Sequence, residues 1–158
     1  IDAGTTGNYT ISISGATGGT KYYVRSFITN DLGTVYSRQV SFTTLPIVPT
    51  VTTAAISNIT GIAATSGGAV TSNGGATITA QGVCWSTTAT PTTADAKTTN
   101  GTVSPFTSNL TGLANATKYY VRAYATNSVG TSYGSEINFT TFLNRKCLHF
   151  ITLMFDHS

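Results

Sequence analysis

A segment of 25 residues occurs twice in this chain, and the distance between its two copies limits what the chain can fold into. Residues 20–44 read TKYYVRSFITNDLGTVYSRQVSFTT and residues 117–141 read TKYYVRAYATNSVGTSYGSEINFTT, with 14 of 25 positions identical. The copies are offset by 97 residues without a gap. Because a period of roughly one hundred residues is one domain length, we expect a piece of a tandem array.

The offset also predicts where each unit begins. Counting back 97 residues from Thr141 places the start of a complete unit at residue 45. We therefore predict a first unit (residues 1–44), which is the C-terminal half of a truncated repeat, and a complete unit (residues 45–141). Since the sequence starts without Met, we expect it to be a fragment of a longer protein.

Composition favours an all-β fold. Only 8% of the residues are charged, against roughly 25% in an average soluble protein. The sequence contains 33 threonines and 16 glycines. Threonine suits a pleated, half-buried surface and glycine suits turns, whereas helix-forming Glu, Lys and Met are scarce.

The net charge of +3 comes from few acids rather than from a concentrated basic face. The sequence therefore gives no indication of nucleic-acid binding. No apolar run approaches the length of about 18 residues that a membrane span needs. Cys84 and Cys147 lie in different segments, so the spacing predicts no disulfide within the complete unit.

The complete unit contains short β-prone runs separated by turn residues. Gly67 and Gly68 indicate a bulge or a close backbone approach, and a phase change after Ile78 indicates a bulge near Gly82. Seven short strands with frequent turns are typical of a β-sandwich. The predicted strands are 51–57, 63–72, 77–87, 96–99, 105–113, 117–127 and 131–141.

The first unit repeats only the last part of this pattern, with strands predicted at 9–14, 20–30 and 34–44. Three strands lack an opposing sheet, so we expect Tyr22, Val24 and Phe42 to be incompletely buried.

The order LTGLANATKYYVRAYATNSVGTSYGSEINFTT resembles the C-terminal half of fibronectin type III domains, especially the Thr/Gly-rich tandem versions of secreted bacterial surface proteins. The matching positions are Leu113, Thr117, Tyr119, Val121 and Ala123. The resemblance implies an immunoglobulin-like β-sandwich in which Tyr119 is the corner tyrosine. This sequence departs from the animal pattern because Ser-Gly-Gly-Ala stands where the second strand has Trp. We expect a core of Trp85, Leu113, Tyr119, Val121, Ala123, Ile137 and Phe139.

The residue types needed for catalysis are sparse in the complete unit. It has no histidine, and its acids are Asp95 and Glu136 alone, too few to indicate a carboxylate pair or a calcium site. Cys84 has no histidine in its unit to activate it, which favours an inert, semi-buried thiol. We predict no catalytic, cofactor-binding or metal-binding site, and no enzyme activity.

One face of the strand 117–127 is a candidate ligand surface. Alternation directs Tyr120, Arg122 and Tyr124 outward, and aromatic rings beside a guanidinium can stack on sugars or contact a protein. The alternative is that these side chains only cover the sheet and stabilise strand pairing. Tyr23, Arg25 and Phe27 repeat the pattern in the first unit.

Residues 142–158 differ from the repeats in composition, since Thr and Gly nearly vanish while both histidines and the only Met appear. A frameshift or read-through explains this change, and a C-terminal anchor or secretion signal is the alternative.

These patterns favour a non-catalytic spacer or display repeat of a larger extracellular or cell-surface protein, with neighbouring repeats of the same chain as its partners. The first alternative is an adhesin module that binds carbohydrate or protein through the outward Tyr/Arg face or the loops. An accessory domain of a secreted hydrolase is a weaker alternative.

Overall fold

The computed structural model of the protein describes residues 10–143, and all regular elements within that range are β-strands. The prediction of an all-β fold is therefore confirmed. The first unit contains β1 (Lys21–Val24), β2 (Phe27–Asn30), β3 (Gly33–Tyr36) and β4 (Val40–Thr43). The complete unit contains β5 (Thr50–Thr53), β6 (Ala63–Ser72), β7 (Ala80–Ser86), β8 (Ala96–Lys97), β9 (Phe106–Thr111), β10 (Lys118–Thr126), β11 (Thr131–Tyr133) and β12 (Ile137–Thr140).

The complete unit is a sandwich of two antiparallel sheets. One sheet has the order β5-β6-β9, and the other has the order β8-β7-β10 with β11 and β12 both paired to β10. Since β11 pairs at Tyr124↔Tyr133 and β12 pairs at Val121↔Ile137, they are one edge strand interrupted at residues 134–136. Counted that way, the sandwich has the seven strands that the sequence predicts.

The core lies between the two sheets, with Val83, Leu110, Val121 and Ala123 fully buried. Gly68 lets the sheets approach closely, because a Cβ built on it would lie 2.7 Å from the Cβ of Ala123. Of the two interpretations of the Gly67–Gly68 pair, a bulge or a close approach, the close approach is therefore confirmed.

The predicted bulge near Gly82 is wrong. The register between β7 and β10 is unbroken from Ala80 to Ser86, and Ile78 lies before the strand begins. The inward position that the hydrophobic pattern missed is Gln81, which is polar yet fully buried. The irregularity lies instead between β5 and β6, at Thr50 and Val51.

The first unit is a hairpin whose strands are each divided in two, since β1 pairs with β4 and β2 with β3. The strand predicted at 9–14 does not form over its described part, 10–14. Its counterpart in the complete unit, β9, pairs with β6. The described part of the first unit has no strand in that position, so residues 10–14 have no backbone to pair with.

The apolar side chains of this hairpin remain open. Phe42 is 40% exposed, whereas Phe139 at the equivalent position is 7% exposed. Ile28 and Val40 are also exposed, as expected for a hairpin without an opposing sheet.

The tail predicted at 142–158 falls almost entirely outside the described residues. Phe142 and Leu143 are described and exposed. The remainder of the tail, including His149, His157 and Cys147, lies outside the described range.

Candidate functional site

The candidate ligand face lies on β10 and its neighbours. Cross-strand pairing places Tyr120 beside Ser86, Arg122 beside Cys84 and Tyr124 beside Gly82. This side of the sheet is opposite to the core side, so the predicted alternation of β10 correctly identifies the outward side chains.

The interpretation of Tyr124 as an exposed ligand contact is wrong. Tyr124 is only 2% exposed, and its hydroxyl donates a hydrogen bond of 2.8 Å to the carbonyl of Thr98. Its ring lies over Gly82, where a built Cβ would be 3.0 Å from the ring edge. Alternation predicts which face a side chain is on, but the segment after β8 covers this part of the face.

Arg122 is held by two contacts within the domain. Its guanidinium carbon lies 4.7 Å from the ring centre of Tyr133, a cation–π distance. Its Nε donates to the carbonyl of Gly134 at 3.1 Å. Both contacts therefore hold Arg122 against the edge strand at the point where β11 ends.

A cover loop, residues 87–95, folds back over the same face. The hydroxyl of Tyr133 accepts a hydrogen bond of 3.1 Å from the amide of Thr93, and a carboxylate oxygen of Glu136 accepts one from the amide of Thr90. Pro91 is buried, and its carbonyl accepts from the Cys84 thiol at 3.5 Å. The loop is thus fastened to the sheet at three places.

The cover loop determines the chemistry of Cys84, which is a free, fully buried cysteine. Burial raises the pKa of its thiol from 9.0 to about 11, and Arg122 opposes this only in part. Because the thiolate is the reactive form, Cys84 stays protonated and inert at neutral pH.

With Tyr124 buried and the half-buried Arg122 held by Tyr133 and Gly134, the side chains of the candidate face that remain for a ligand are Tyr120 and Lys118. Tyr120 is half-buried, and the Lys118 Nζ lies 4.9 Å from its ring centre. This pair offers one ring and one ammonium group at the sheet edge, which is a small surface for recognising a ligand.

The first unit carries the same pattern without a cover loop in its described part. The guanidinium carbon of Arg25 lies 4.8 Å from the ring centre of Tyr36, and its Nε donates to the carbonyl of Ser37. Tyr23 is 61% exposed and Phe27 is 65% exposed.

Within residues 10–143, no group of three or more His, Cys, Asp or Glu side chains is placed to hold a metal ion. Over the same range, no helix long and apolar enough to cross a membrane occurs.

The predicted core residues occupy two environments. Leu113, Val121, Ala123 and Phe139 are buried in the core cluster, while three others are partly buried and pack against it. Those three are Trp85, Tyr119 and Ile137.

No protein-family model and no curated protein matches this sequence. Solved structures match it in fold. Domains d3–d4 of the extracellular region of rat CD45 superpose with a TM-score of 0.59 at 13% identity, over 87% of this chain and 72% of theirs. Domains FN1–FN3 of chicken CNTN1 give a TM-score of 0.48 at 17% identity, over 85% of this chain and 47% of theirs.

The strand order refines this comparison. In a constant-type immunoglobulin domain the fourth strand joins the first sheet, whereas here β8 pairs with β7 in the second sheet. The complete unit has a fibronectin type III-like fold. The fibronectin type-III domain of human fibronectin type III domain containing protein 3 is also similar, with a TM-score of 0.41 at 16% identity over 66% of this chain and 93% of that domain.

The fibronectin type III-like fold explains the position of Tyr119. Its hydroxyl accepts a hydrogen bond of 3.0 Å from the amide of Ala114, in the loop before its strand. Tyr22 accepts the equivalent bond from Thr17 at 2.8 Å. The corner bond that the resemblance implies is therefore present in both units.

Sequence reasoning did not predict the roles of Tyr133, which organises the edge of the second sheet, and Asn127, which organises one end of the sandwich. Tyr133 is preceded by Thr and Ser and followed by Gly, so the sequence around it carries no periodic signal. Its role depends on the cover loop, which is distant in sequence.

Proposed function

We propose that this protein is a non-catalytic spacer repeat of an extracellular or cell-surface protein, and that residues 45–141 are one independently folding domain of an array. Its partners are neighbouring repeats of the same kind. The extracellular region of rat CD45, which shares the fold, is consistent with such a location.

The observation that carries this proposal is that both units use the same internal contacts 97 residues apart. The Arg–Tyr stack occurs as Arg25–Tyr36 and Arg122–Tyr133, at 4.8 and 4.7 Å. The threonine pair is repeated too, since Thr29–Thr34 and Thr126–Thr131 each measure 2.8 Å between hydroxyl oxygens. Side chains that could have bound a ligand are used to build the hairpin.

The test is the length of concatemers. Proteins with one, two and three copies of residues 45–141 are compared by small-angle X-ray scattering. A spacer adds to the maximum dimension with each copy, whether the joints between the copies are rigid or flexible. Collapse of the three-copy protein to a compact particle would argue against the spacer function.

A binding function is the second candidate, favoured by the open rings of Tyr23 and Phe27 in the first unit. The intact chain is screened on a glycan array beside a Tyr23→Ser/Phe27→Ser variant. If binding is present and the variant loses it, the protein is an adhesin module. If the two proteins give the same blank array, this candidate is eliminated for glycans.

A further inference from the structure

The linker, defined as residues 45–49 at the start of the complete unit, is hydrogen-bonded both to the first unit and to the rest of the complete unit. The amide of Gly19 in the first unit donates to the carbonyl of Leu45 at 3.3 Å, and the amide of Ile47 donates to the carbonyl of Gly74 at 2.8 Å. Pro49, directly before β5, is fully buried. The linker is therefore part of a built joint and does not behave as a free tether.

The side chain of Asn127 also holds the linker, through a hydrogen bond to Ile47. This side chain is 4% exposed, and its Nδ2 donates to the carbonyls of Ile47 at 2.7 Å and Asn73 at 2.9 Å. Its Oδ1 accepts from the amides of Val129 and Gly130. One buried amide thus connects the linker to both loops at this end of the sandwich.

Glycines from the two units meet at the joint without room for a side chain. A Cβ built on Gly19 would lie 2.5 Å from the carbonyl oxygen of Gly75 and 2.6 Å from its Cα. A Cβ built on Gly75 would lie 2.6 Å from the Cα of Gly19. Contacts this short are between backbones, so a substitution can be accommodated only by separating the units.

We propose that the docking end, defined as residues 73–75 and 127–130, binds the two-glycine loop of the preceding repeat and holds the two repeats in one orientation. This inference rests on the proposed spacer function for its purpose, because a spacer with fixed joints transmits direction as well as distance. Its partner is a repeat of this same kind with Gly-Gly before the strand that begins Thr-Lys-Tyr-Tyr.

The docking end selects among repeats, and the complete unit itself fails that selection. At the positions equivalent to Gly18 and Gly19 it carries Asn115 and Ala116, and Ala116 adopts a φ of 49°. Alanine is thus compatible with the loop itself but not with the glycine contact across the joint. A docking end of this type would reject the complete unit as its preceding neighbour.

The test replaces the two-glycine loop of the first unit with the equivalent loop of the complete unit, Asn115 and Ala116. In the full chain, Gly18→Asn/Gly19→Ala gives the first unit a loop that already folds in its counterpart. Spin labels are attached at Ser41→Cys on β4 and Thr107→Cys on β9, both exposed, in a Cys147→Ser background with Cys84 buried. Pulsed electron paramagnetic resonance then measures the distribution of distances between the units.

We expect one narrow distribution of distances in the protein with the unmodified loop. In the protein with the exchanged loop the distribution should be about twofold broader, since units without an extensive interface move relative to one another. Gly112→Ala and Gly15→Ala are the controls. Both positions have positive φ, of 71° and 76°, but nothing lies within 4 Å of a built Cβ, so they test backbone strain alone and should leave the distribution narrow.

A broad distribution in the parent protein would overturn the proposal, as would a narrow one after the loop exchange. Broadening in the Gly15→Ala control would also overturn it, by showing that backbone strain in the two-glycine loop, rather than contact across the joint, controls the orientation. Circular dichroism of every variant verifies that both hairpins remain folded. The outcome is separate from that of the concatemer test, since flexible joints still allow each copy to add length.

Discussion

At the scale of single residues, Trp85 and Tyr119 contribute to the core in different ways. Trp85 packs its ring against the core cluster from β7, and removing it leaves a cavity. Tyr119→Phe removes only the hydrogen bond to Ala114. We expect Trp85→Ala to lower the free energy of unfolding by about 3 kcal/mol and Tyr119→Phe to lower it by about 1 kcal/mol.

Urea unfolding of the intact chain, followed by far-ultraviolet circular dichroism, measures both losses. Fluorescence is unsuitable because Trp85 is the only tryptophan. Equal losses in the two variants would contradict the assignment of Trp85 to the core.

Cys84 makes the free energy of unfolding depend on pH in the alkaline range. Burial raises its pKa to about 11 in the folded protein, so the folded state retains a proton that the unfolded state loses near pH 9. The stabilisation from the buried thiol is therefore complete below the unfolded pKa and falls as the pH rises toward the folded pKa. The difference in unfolding free energy between the parent and Cys84→Ala should shrink from pH 8 to pH 10.

The same burial predicts the labelling of Cys84. In a Cys147→Ser background, a thiol reagent at pH 8 should react with Cys84 only when urea unfolds the chain. Rapid labelling of the native protein would show that the cover loop opens readily.

At the scale of elements, the cover loop should depend on the hydroxyl of Tyr133. Tyr133→Phe keeps the ring beneath Arg122 but removes the acceptor for the Thr93 amide. Because that bond is worth about 1 kcal/mol, hydrogen exchange at Thr93 should accelerate about fivefold. Tyr120→Phe, whose ring lies beside Lys118, is the matched control and should leave exchange at Thr93 unchanged.

The elements also show how much of the fold and of the candidate site can be predicted from the sequence. The strand predicted at 63–72 has the same bounds in the structure, because β-branched and small residues between turn signals specify it locally. The burial of Tyr124 cannot be predicted from β10 alone, because it depends on Thr98, which lies after β8. The burial of Gln81 is unpredictable for a related reason: hydrophobic periodicity cannot identify a buried amide, and here the Gln81 Nε2 donates to the carbonyl of Val103 at 2.7 Å.

At the scale of the whole molecule, two copies of one hairpin exist in different surroundings. Tyr22 and Phe42 stack with ring centres 5.7 Å apart, and Tyr119 and Phe139 stack at 5.9 Å. The local geometry is therefore a property of the repeated sequence. What differs is the opposing sheet, which the complete unit supplies through β5, β6 and β9.

Because of this difference, the same substitution should cost different amounts of unfolding free energy at equivalent positions of the two units. Phe139→Ala opens a cavity in a closed core and should cost about 3–5 kcal/mol of unfolding free energy. Phe42→Ala removes a ring that is 40% exposed, so it should cost about 1 kcal/mol, by loss of partial burial and stacking. Urea titrations of both variants in the intact chain compare the two. Equal costs would mean that the open face of the first unit is covered in solution, and sedimentation equilibrium would then show whether a second copy of the chain covers it.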